Sequence, residues 1–222
     1  MFLKTKTLLK ADKFSEVYQV LLKKFGHQHW WPASDEFEVM VGAILTQNTN
    51  WKNVKRAIEN LKQAKKLNPI ALKRISRNQL AGLIKPAGYF NVKADRLKHF
   101  IDFFFREYQG DVDRMRAEKD EPLRSKLLSV KGIGPETADS ILLYALGKPI
   151  FVIDAYTKRI FSRHRTLAYE ASYDAWQSLF MKSLPPKASL YNDFHAQIVA
   201  LGKDFCRASQ ARCETCPLAR FF

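Results

Sequence analysis

The chain has 222 residues, 46% hydrophobic and 27% charged, so it can bury a core as one large domain or two small ones. Lys and Arg number 37 against 22 Asp and Glu, and the formal charge of +15 favours an anionic partner, with nucleic acid the first candidate. No apolar run reaches membrane-spanning length and no signal-peptide core opens the sequence, which predicts a cytoplasmic, nucleoid-associated protein that does not contact a membrane.

Apolar residues recur at helical spacing along most of the chain. In residues 14–25, for example, Phe14, Val17 and Leu21 mark one helix face. The same period predicts further helices over residues 36–46, 51–66, 69–75, 78–84, 92–108, 135–146, 155–163, 171–183 and 190–203. Strand-like alternation is scarce, and the apolar run at residues 150–153 is too short to build a sheet. The sequence therefore predicts an all-α fold.

A glycine-rich turn, Gly132-Ile133-Gly134, opens the helix predicted over residues 135–146. Glycines let backbone N–H groups approach a bulky ligand, and a helix N-terminus favours an anion, so this hairpin predicts a contact with a nucleic-acid phosphate. Thr137 is placed to assist, and Glu136 is read as a first-turn acid that stabilises the helix N-terminus. The alternative is an ordinary helix–helix turn.

Asp154 follows the extended run at residues 150–153 and precedes the next predicted helix. This spacing gives a single carboxylate a defined position relative to a strand bound at the hairpin. Taken alone, Asp154 also fits the ordinary role of a helix N-cap. The combination of a glycine turn and a carboxylate is more specific for a DNA-binding site with a functional acid than either feature alone.

The three cysteines, Cys206, Cys213 and Cys216, all lie near the end of the chain. Such a set is a poor basis for a disulfide framework and a reasonable basis for a metal site.

Together these segments resemble the helix–hairpin–helix DNA glycosylases of the endonuclease III superfamily, over about residues 14–216. Residues 41–49 and 86–94 resemble two further motifs of that family, and the cysteine spacing resembles three of its four iron–sulfur ligands. Within the superfamily, Trp30-Trp31-Pro32, Trp51 and the turn at residues 86–91 resemble the bacterial 3-methyladenine DNA glycosylases.

The resemblance implies two helical lobes with a cleft between them. Residues 35–146 would form the lobe with the helix–hairpin–helix, at about residues 123–146, and residues 1–34 with 147–222 the second lobe, which carries the cysteine loop. Asp154 would lie at the mouth of the cleft. The expected partner is double-stranded DNA that contains a damaged base, and the expected state is a monomer.

An enzyme that acts on a base within a duplex must extrude that base. The resemblance implies that Gln47 fills the gap; its alternative is an exposed helix C-cap. The implied base pocket is formed by Trp30, Trp31, Pro32 and Trp51, for which the alternative is an ordinary core. Indole faces attract a cationic N-alkylated purine, a base that already leaves easily. Asp154 would then stabilise the developing positive charge on the sugar and orient the water, with no cofactor required for the chemistry.

Two departures from the family pattern matter. Glu136 stands where endonuclease III has its Schiff-base lysine, which predicts a glycosylase without lyase activity. Phe222 stands where the fourth cluster cysteine is expected. Three thiolates could hold a labile [4Fe–4S] cluster with an outside ligand, or the loop folds without iron, and the sequence favours the second.

Two other functions stay open from the sequence. One is an endonuclease III-like glycosylase for oxidised or mismatched pyrimidines, and the other is a non-catalytic module that binds distorted DNA through the hairpin.

Overall fold

The computed structural model describes residues 10–221, and this part of the chain folds into twelve α-helices. Within it, the only strand-like pairing is an isolated bridge between Cys206 and Ala211. The all-α prediction is therefore confirmed. No helix among the described residues is both long enough and apolar enough to cross a membrane.

The described residues divide into two compact units. One consists of Trp31–Lys148, and the other of residues 10–30 together with 149–221. The first unit contains α2 (Glu36–Leu45), α3 (Trp51–Gln63), α4 (Pro69–Arg74), α5 (Arg77–Leu83), α6 (Phe90–Tyr108), α7 (Val112–Ala117), α8 (Asp120–Ser129) and α9 (Pro135–Ser140). The second contains α1 (Phe14–Phe25), α10 (Ala155–Arg163), α11 (Tyr173–Ser183) and α12 (Ala188–Asp204).

Several helix starts in the Trp31–Lys148 unit are set by short polar side chains. Asp35, Asn50 and Asn68 each accept a hydrogen bond from a backbone N–H one turn into α2, α3 and α4. Ser76 and Gln79 form a reciprocal capping box at the start of α5. These contacts satisfy N–H groups that have no partner within the helix, so the local sequence determines where the helices begin.

The core of the Trp31–Lys148 unit forms around α2, which is buried along its whole length from Phe37 to Leu45. Phe100 and Phe104 of α6 stack with their ring centroids 5.8 Å apart, and the Phe104 ring lies 6.1 Å from that of Phe37. Burial of such rings supplies most of the stabilisation of a small helical unit.

The core of the other unit is built on Phe180 of α11. Its ring lies 4.3 Å from that of Phe151, 4.5 Å from Phe14 and 4.9 Å from Phe161, and these three residues are fully buried. The extended residues 150–153 thus serve as a core segment, which delivers Asp154 to the start of α10.

Two local features differ from the sequence-based expectation. Helix α7 was not predicted, because its six residues bury only Met115 and so show no apolar period. The helix predicted over residues 135–146 is α-helical only to Ser140, and Ile141–Ala145 forms a wider π-helical turn. Segments of π-helix are rare and often mark functional sites.

Candidate functional site

The hairpin turn between α8 and α9 depends on glycine at position 132. Gly132 has φ +92°, and a Cβ there would lie 2.4 Å from Cγ of Arg96, so a larger residue would be both strained and obstructed. Gly134 is the N-cap of α9 and has open space beside its Cα, while Ile133 between the glycines is buried. An exposed glycine followed by a helix start is the arrangement expected for a phosphate contact.

The two helices of the hairpin are joined by an ion pair between Arg124 and Asp139. The guanidinium donates to both carboxylate oxygens, at 2.7 and 3.1 Å, and the Asp139 side chain is completely buried. Because the pair links α8 to α9 from either side of the turn, it fixes the shape of the hairpin.

Gln47 lies against this hairpin rather than in solvent. Its Nε2 donates to the carbonyl oxygen of Gly132 at 3.0 Å and to Oγ1 of Thr137 at 2.9 Å, while its Oε1 accepts from Arg96. The residue that caps α2 is Thr46, not Gln47. Three residues predicted to contact DNA, namely Gln47, Gly132 and Thr137, are therefore neighbours, whereas Arg96 was not identified from the sequence.

An aromatic cluster forms around Trp31. Its ring lies 5.1 Å from that of Trp51, edge to face, and 5.4 Å from that of Tyr144, and its indole packs against Gly42. All three aromatic side chains keep partial exposure. Tyr144 was missed by the sequence reasoning, because its orientation depends on the π-helical turn.

The other two residues predicted to form the base pocket are Trp30 and Pro32. Trp30 falls in the other unit, where the Lys203 ammonium lies 5.8 Å from its ring. Pro32 is exposed. Trp31 and Trp51, two of the four predicted residues, are in ring contact.

Asp154 is the N-cap of α10, and its side chain is only 12% exposed. Its Oδ1 accepts hydrogen bonds from N of Thr157 at 2.7 Å and from Oγ1 of Thr157 at 2.8 Å. Its Oδ2 lies 3.7 Å from Nε2 of His195, a buried residue of α12. Both the N-cap role and a chemically available second oxygen are therefore present in one residue.

The environment of Asp154 keeps its carboxyl group ionised. Burial by itself raises the pKa of Asp154, but the nearby imidazole of His195 and the two hydrogen bonds from Thr157 together outweigh it, so the pKa lies below its ordinary value. The carboxylate form is thus present at neutral pH, as a group that stabilises positive charge requires.

Lys93, in the segment that follows the turn at residues 86–91, is a buried cation that sequence reasoning did not single out. Its Nζ donates to the carbonyl oxygens of Leu45 at 2.8 Å and of Ala87 at 2.7 Å. It thereby ties the end of α2 to the turn that leads into Tyr89, which is 72% exposed and holds the left-handed conformation at φ +45°.

Burial, with the nearby positive charge of Arg96, lowers the pKa of Lys93 to about 8. A neutral amine still has two N–H groups for its two carbonyl partners. In the unfolded chain the amine titrates at about its reference pKa, near 10.4. Between about pH 8 and pH 10 the unfolded state therefore binds more protons than the folded state. The free energy of unfolding consequently rises with pH across this range.

We therefore expect the free energy of unfolding of the wild type to increase relative to Lys93→Met, by roughly 1–3 kcal/mol from about pH 7 to pH 10. Urea titrations of both proteins across this range measure the difference. A pH-independent difference would contradict the assigned titration.

The C-terminal loop does not offer a four-thiolate cluster site within the described residues. Sγ of the buried Cys206 lies 3.3 Å from a guanidinium nitrogen of Arg163, and burial raises the pKa of Cys216, which disfavours a thiolate there. In residues 10–221, no group of three or more His, Cys, Asp or Glu residues could hold a metal ion. Phe222, the position expected for the fourth ligand, lies outside the described residues.

Comparison with known proteins identifies the family. Residues 41–186, about two thirds of the chain, match the HhH-GPD superfamily of base excision DNA repair proteins. The chain belongs to this superfamily. The matched residues include the hairpin, Gln47 and Asp154, and the DNA glycosylase assignment inferred from these motifs is confirmed at this level.

Relatives of the HhH-GPD protein agree with this assignment. A predicted DNA repair glycosylase of Methanocaldococcus jannaschii is 46% identical over 217 residues, which cover 96% of this chain and 98% of that protein. The structure of 3-methyladenine DNA glycosylase from H. pylori, bound to 1,N6-ethenoadenine, shares 31% identity with a TM-score of 0.76 and covers 88% of this chain and 98% of that one.

A trapped covalent endonuclease III–DNA intermediate has a TM-score of 0.83 at 20% identity, over 96% of each chain. At that identity it supports the fold of the HhH-GPD protein alone.

Proposed function

We propose that this DNA glycosylase hydrolyses the N-glycosidic bond of an alkylated purine, such as 3-methyladenine, in double-stranded DNA, acts as a monomer and has no lyase activity. The observation that carries the substrate assignment is the cluster of Trp31, Trp51 and Tyr144, with ring centroids 5.1 and 5.4 Å from that of Trp31. The faces of indole rings attract a cation, by about 0.5–2 kcal/mol depending on desolvation. The H. pylori relative, named as a 3-methyladenine DNA glycosylase, supports the same substrate class.

Cleavage of the glycosidic bond of such a substrate requires little acid catalysis by the protein. The ring of an N-alkylated purine already carries positive charge, so it departs without strong acid catalysis. The charge that develops on the sugar needs a carboxylate, and Asp154 is held ionised with Oδ1 fixed by Thr157. In this proposal Oδ2 of Asp154 faces the sugar and orients or deprotonates the attacking water. These steps need no cofactor.

The absence of a lyase step follows from Glu136, an exposed residue in the first turn of α9. A carboxylate cannot attack the sugar carbon to form an imine. Lys158, which lies near Asp154 in sequence, donates from Nζ to the carbonyl oxygen of Ala171 at 2.9 Å and is thereby held away from such a role.

Borohydride trapping on duplex DNA with an abasic site tests this part of the proposal. We expect no covalent adduct with the wild type and a trapped adduct with Glu136→Lys, which restores an amine at the position. Because Glu136 is exposed, we expect the variant to fold normally. A wild-type adduct would show that another amine acts as the nucleophile.

The substrate assignment is tested by base release. Methylated duplex DNA, and duplexes with an oxidised or a mismatched pyrimidine, are incubated with the full chain, and the released bases are separated and quantified. Release of 3-methyladenine or 7-methylguanine supports the proposal. Release from the pyrimidine substrates alone would indicate an endonuclease III-like specificity instead. DNA binding without release of any base would indicate a non-catalytic DNA-binding module.

A further inference from the structure

The amide of Gln47 has only one orientation that suits its neighbours. A backbone carbonyl such as that of Gly132 only accepts hydrogen bonds, and the guanidinium of Arg96 only donates them. The Nε2 group must therefore face Gly132 and Thr137, at 3.0 and 2.9 Å, while Oε1 must face Arg96. A flipped amide would place donor against donor on one side and acceptor against acceptor on the other.

Arg96 is itself fixed by the hairpin turn. Its aliphatic stem fills the space beside Gly132, where a Cβ would lie 2.4 Å from Cγ of Arg96. One helical turn later, Nδ1 of His99 lies 3.2 Å from the carbonyl oxygen of Lys131 in the same turn. Helix α6 thus contacts two consecutive residues of the turn and brings the Arg96 guanidinium to Gln47.

We propose that Arg96 is a positioning residue that holds Gln47 ready to fill the gap left by the extruded nucleotide. This rests on the role given to Gln47 by the proposed function. A side chain already held in one geometry loses less conformational entropy when it enters the duplex. With both N–H groups of Nε2 used within the protein, Gln47 occupies the gap as a space-filling group and offers the orphaned base only an acceptor.

A double-mutant cycle tests the coupling. Arg96→Met removes the bond to Oε1 and keeps most of the stem that covers Gly132, and Gln47→Ala removes the plug. We expect Arg96→Met to lower kcat/KM for the damaged duplex about tenfold, the loss expected for one charge-assisted hydrogen bond of a partly exposed group. In the Gln47→Ala background the same change should have no further effect. On single-stranded DNA with the same lesion, where no gap forms, Arg96→Met should match the wild type.

Arg106→Met serves as the matched control. Arg106 lies on the same helix, with its guanidinium over the ring of Phe103 and paired with Glu107, so this variant loses the same charge without touching Gln47. Its activity shows how much a lost positive charge alone weakens DNA binding. If Arg96→Met folds poorly, as urea titration would show, Arg96→Leu takes its place, because it is neutral, has no donor for Oε1 of Gln47 and retains a shorter apolar stem.

An equal loss in the wild-type and Gln47→Ala backgrounds would overturn the proposal, because Arg96 would then act on DNA directly. A gain in activity would overturn it as well, since the bonds would be holding Gln47 back. Affinity for duplex DNA with a stable abasic-site analogue provides a readout that does not depend on catalysis. If the wild type releases no base, the proposed function fails. A double-mutant cycle measured on this affinity then still decides whether Arg96 and Gln47 are coupled.

Discussion

Replacement of Asp154 with asparagine is expected to lower kcat for base release by about 10²- to 10³-fold, the range found when one preorganised electrostatic contact is removed from a reaction centre. The amide has nearly the same shape as the carboxyl but carries no charge. It can no longer stabilise an oxocarbenium-like sugar or accept a proton from water. KM should change little, since the charge that Asp154 stabilises develops in the transition state.

The fold should survive this substitution. Asparagine is as good an N-cap as aspartate, so the bond from N of Thr157 to the side chain at position 154 can be kept at the start of α10. Circular dichroism, urea titration and DNA affinity establish this for the purified variant. With these unchanged, the lost activity is assigned to chemistry.

Asp35→Asn is the matched control for the loss of an N-cap charge. Oδ1 of Asp35 accepts from N of Glu38 at 2.8 Å, the same bond at the same position of a different helix. This variant should release bases at the wild-type rate. Full activity in Asp154→Asn would contradict the role proposed for the carboxylate and leave Asp154 as an N-cap alone.

Much of the helical layout was predictable because it is determined locally. The apolar face of residues 14–25 predicts α1 with the bounds observed, Phe14–Phe25. Asp154 could be predicted as an N-cap and proposed as a catalyst because an isolated carboxylate after an extended apolar run suits either role, and the structure shows the N-cap. The glycine turn was predictable for a similar reason, since φ +92° at Gly132 excludes most other residues.

The contacts that tune the candidate site could not be predicted, because they join segments far apart in the chain. Arg96 meets Gln47 across 49 positions. His195 lies on α12 beside the apolar ring of Phe151, and its Nε2 is 3.7 Å from Oδ2 of Asp154, which lies in a distant segment of the chain. Tyr144 reaches Trp31 from within a π-helical turn, whose wider register has no marker in the apolar period.

The largest expected effect on stability is that of breaking the ion pair between Arg124 and Asp139. Arg124→Met removes the guanidinium that pairs with the carboxylate of Asp139, a side chain with no exposed surface. Removal of one member of a buried pair costs about 3–5 kcal/mol, because the remaining charge has lost its hydration without compensation. Urea titration of the variant against the wild type measures this loss.

Replacement of both partners should recover much of that stability. In Arg124→Met with Asp139→Leu, neither charge of this pair is left, and apolar replacements of a buried pair are often neutral or stabilising. Arg77→Met, which breaks the exposed pair with Asp95, provides the control and should cost no more than about 1 kcal/mol. If Arg124→Met lowered the free energy of unfolding as little as that control does, the ion pair would not be what stabilises the hairpin.

The ion pair also relates stability to function, since it joins α8 to α9 on either side of the glycine turn. If a fixed turn is what binds the phosphate, the double variant should regain stability but bind duplex DNA less tightly than the wild type, because methionine and leucine pack without directional bonds. If affinity returns together with stability, apolar packing alone holds the hairpin in shape, and the charges serve only to satisfy each other.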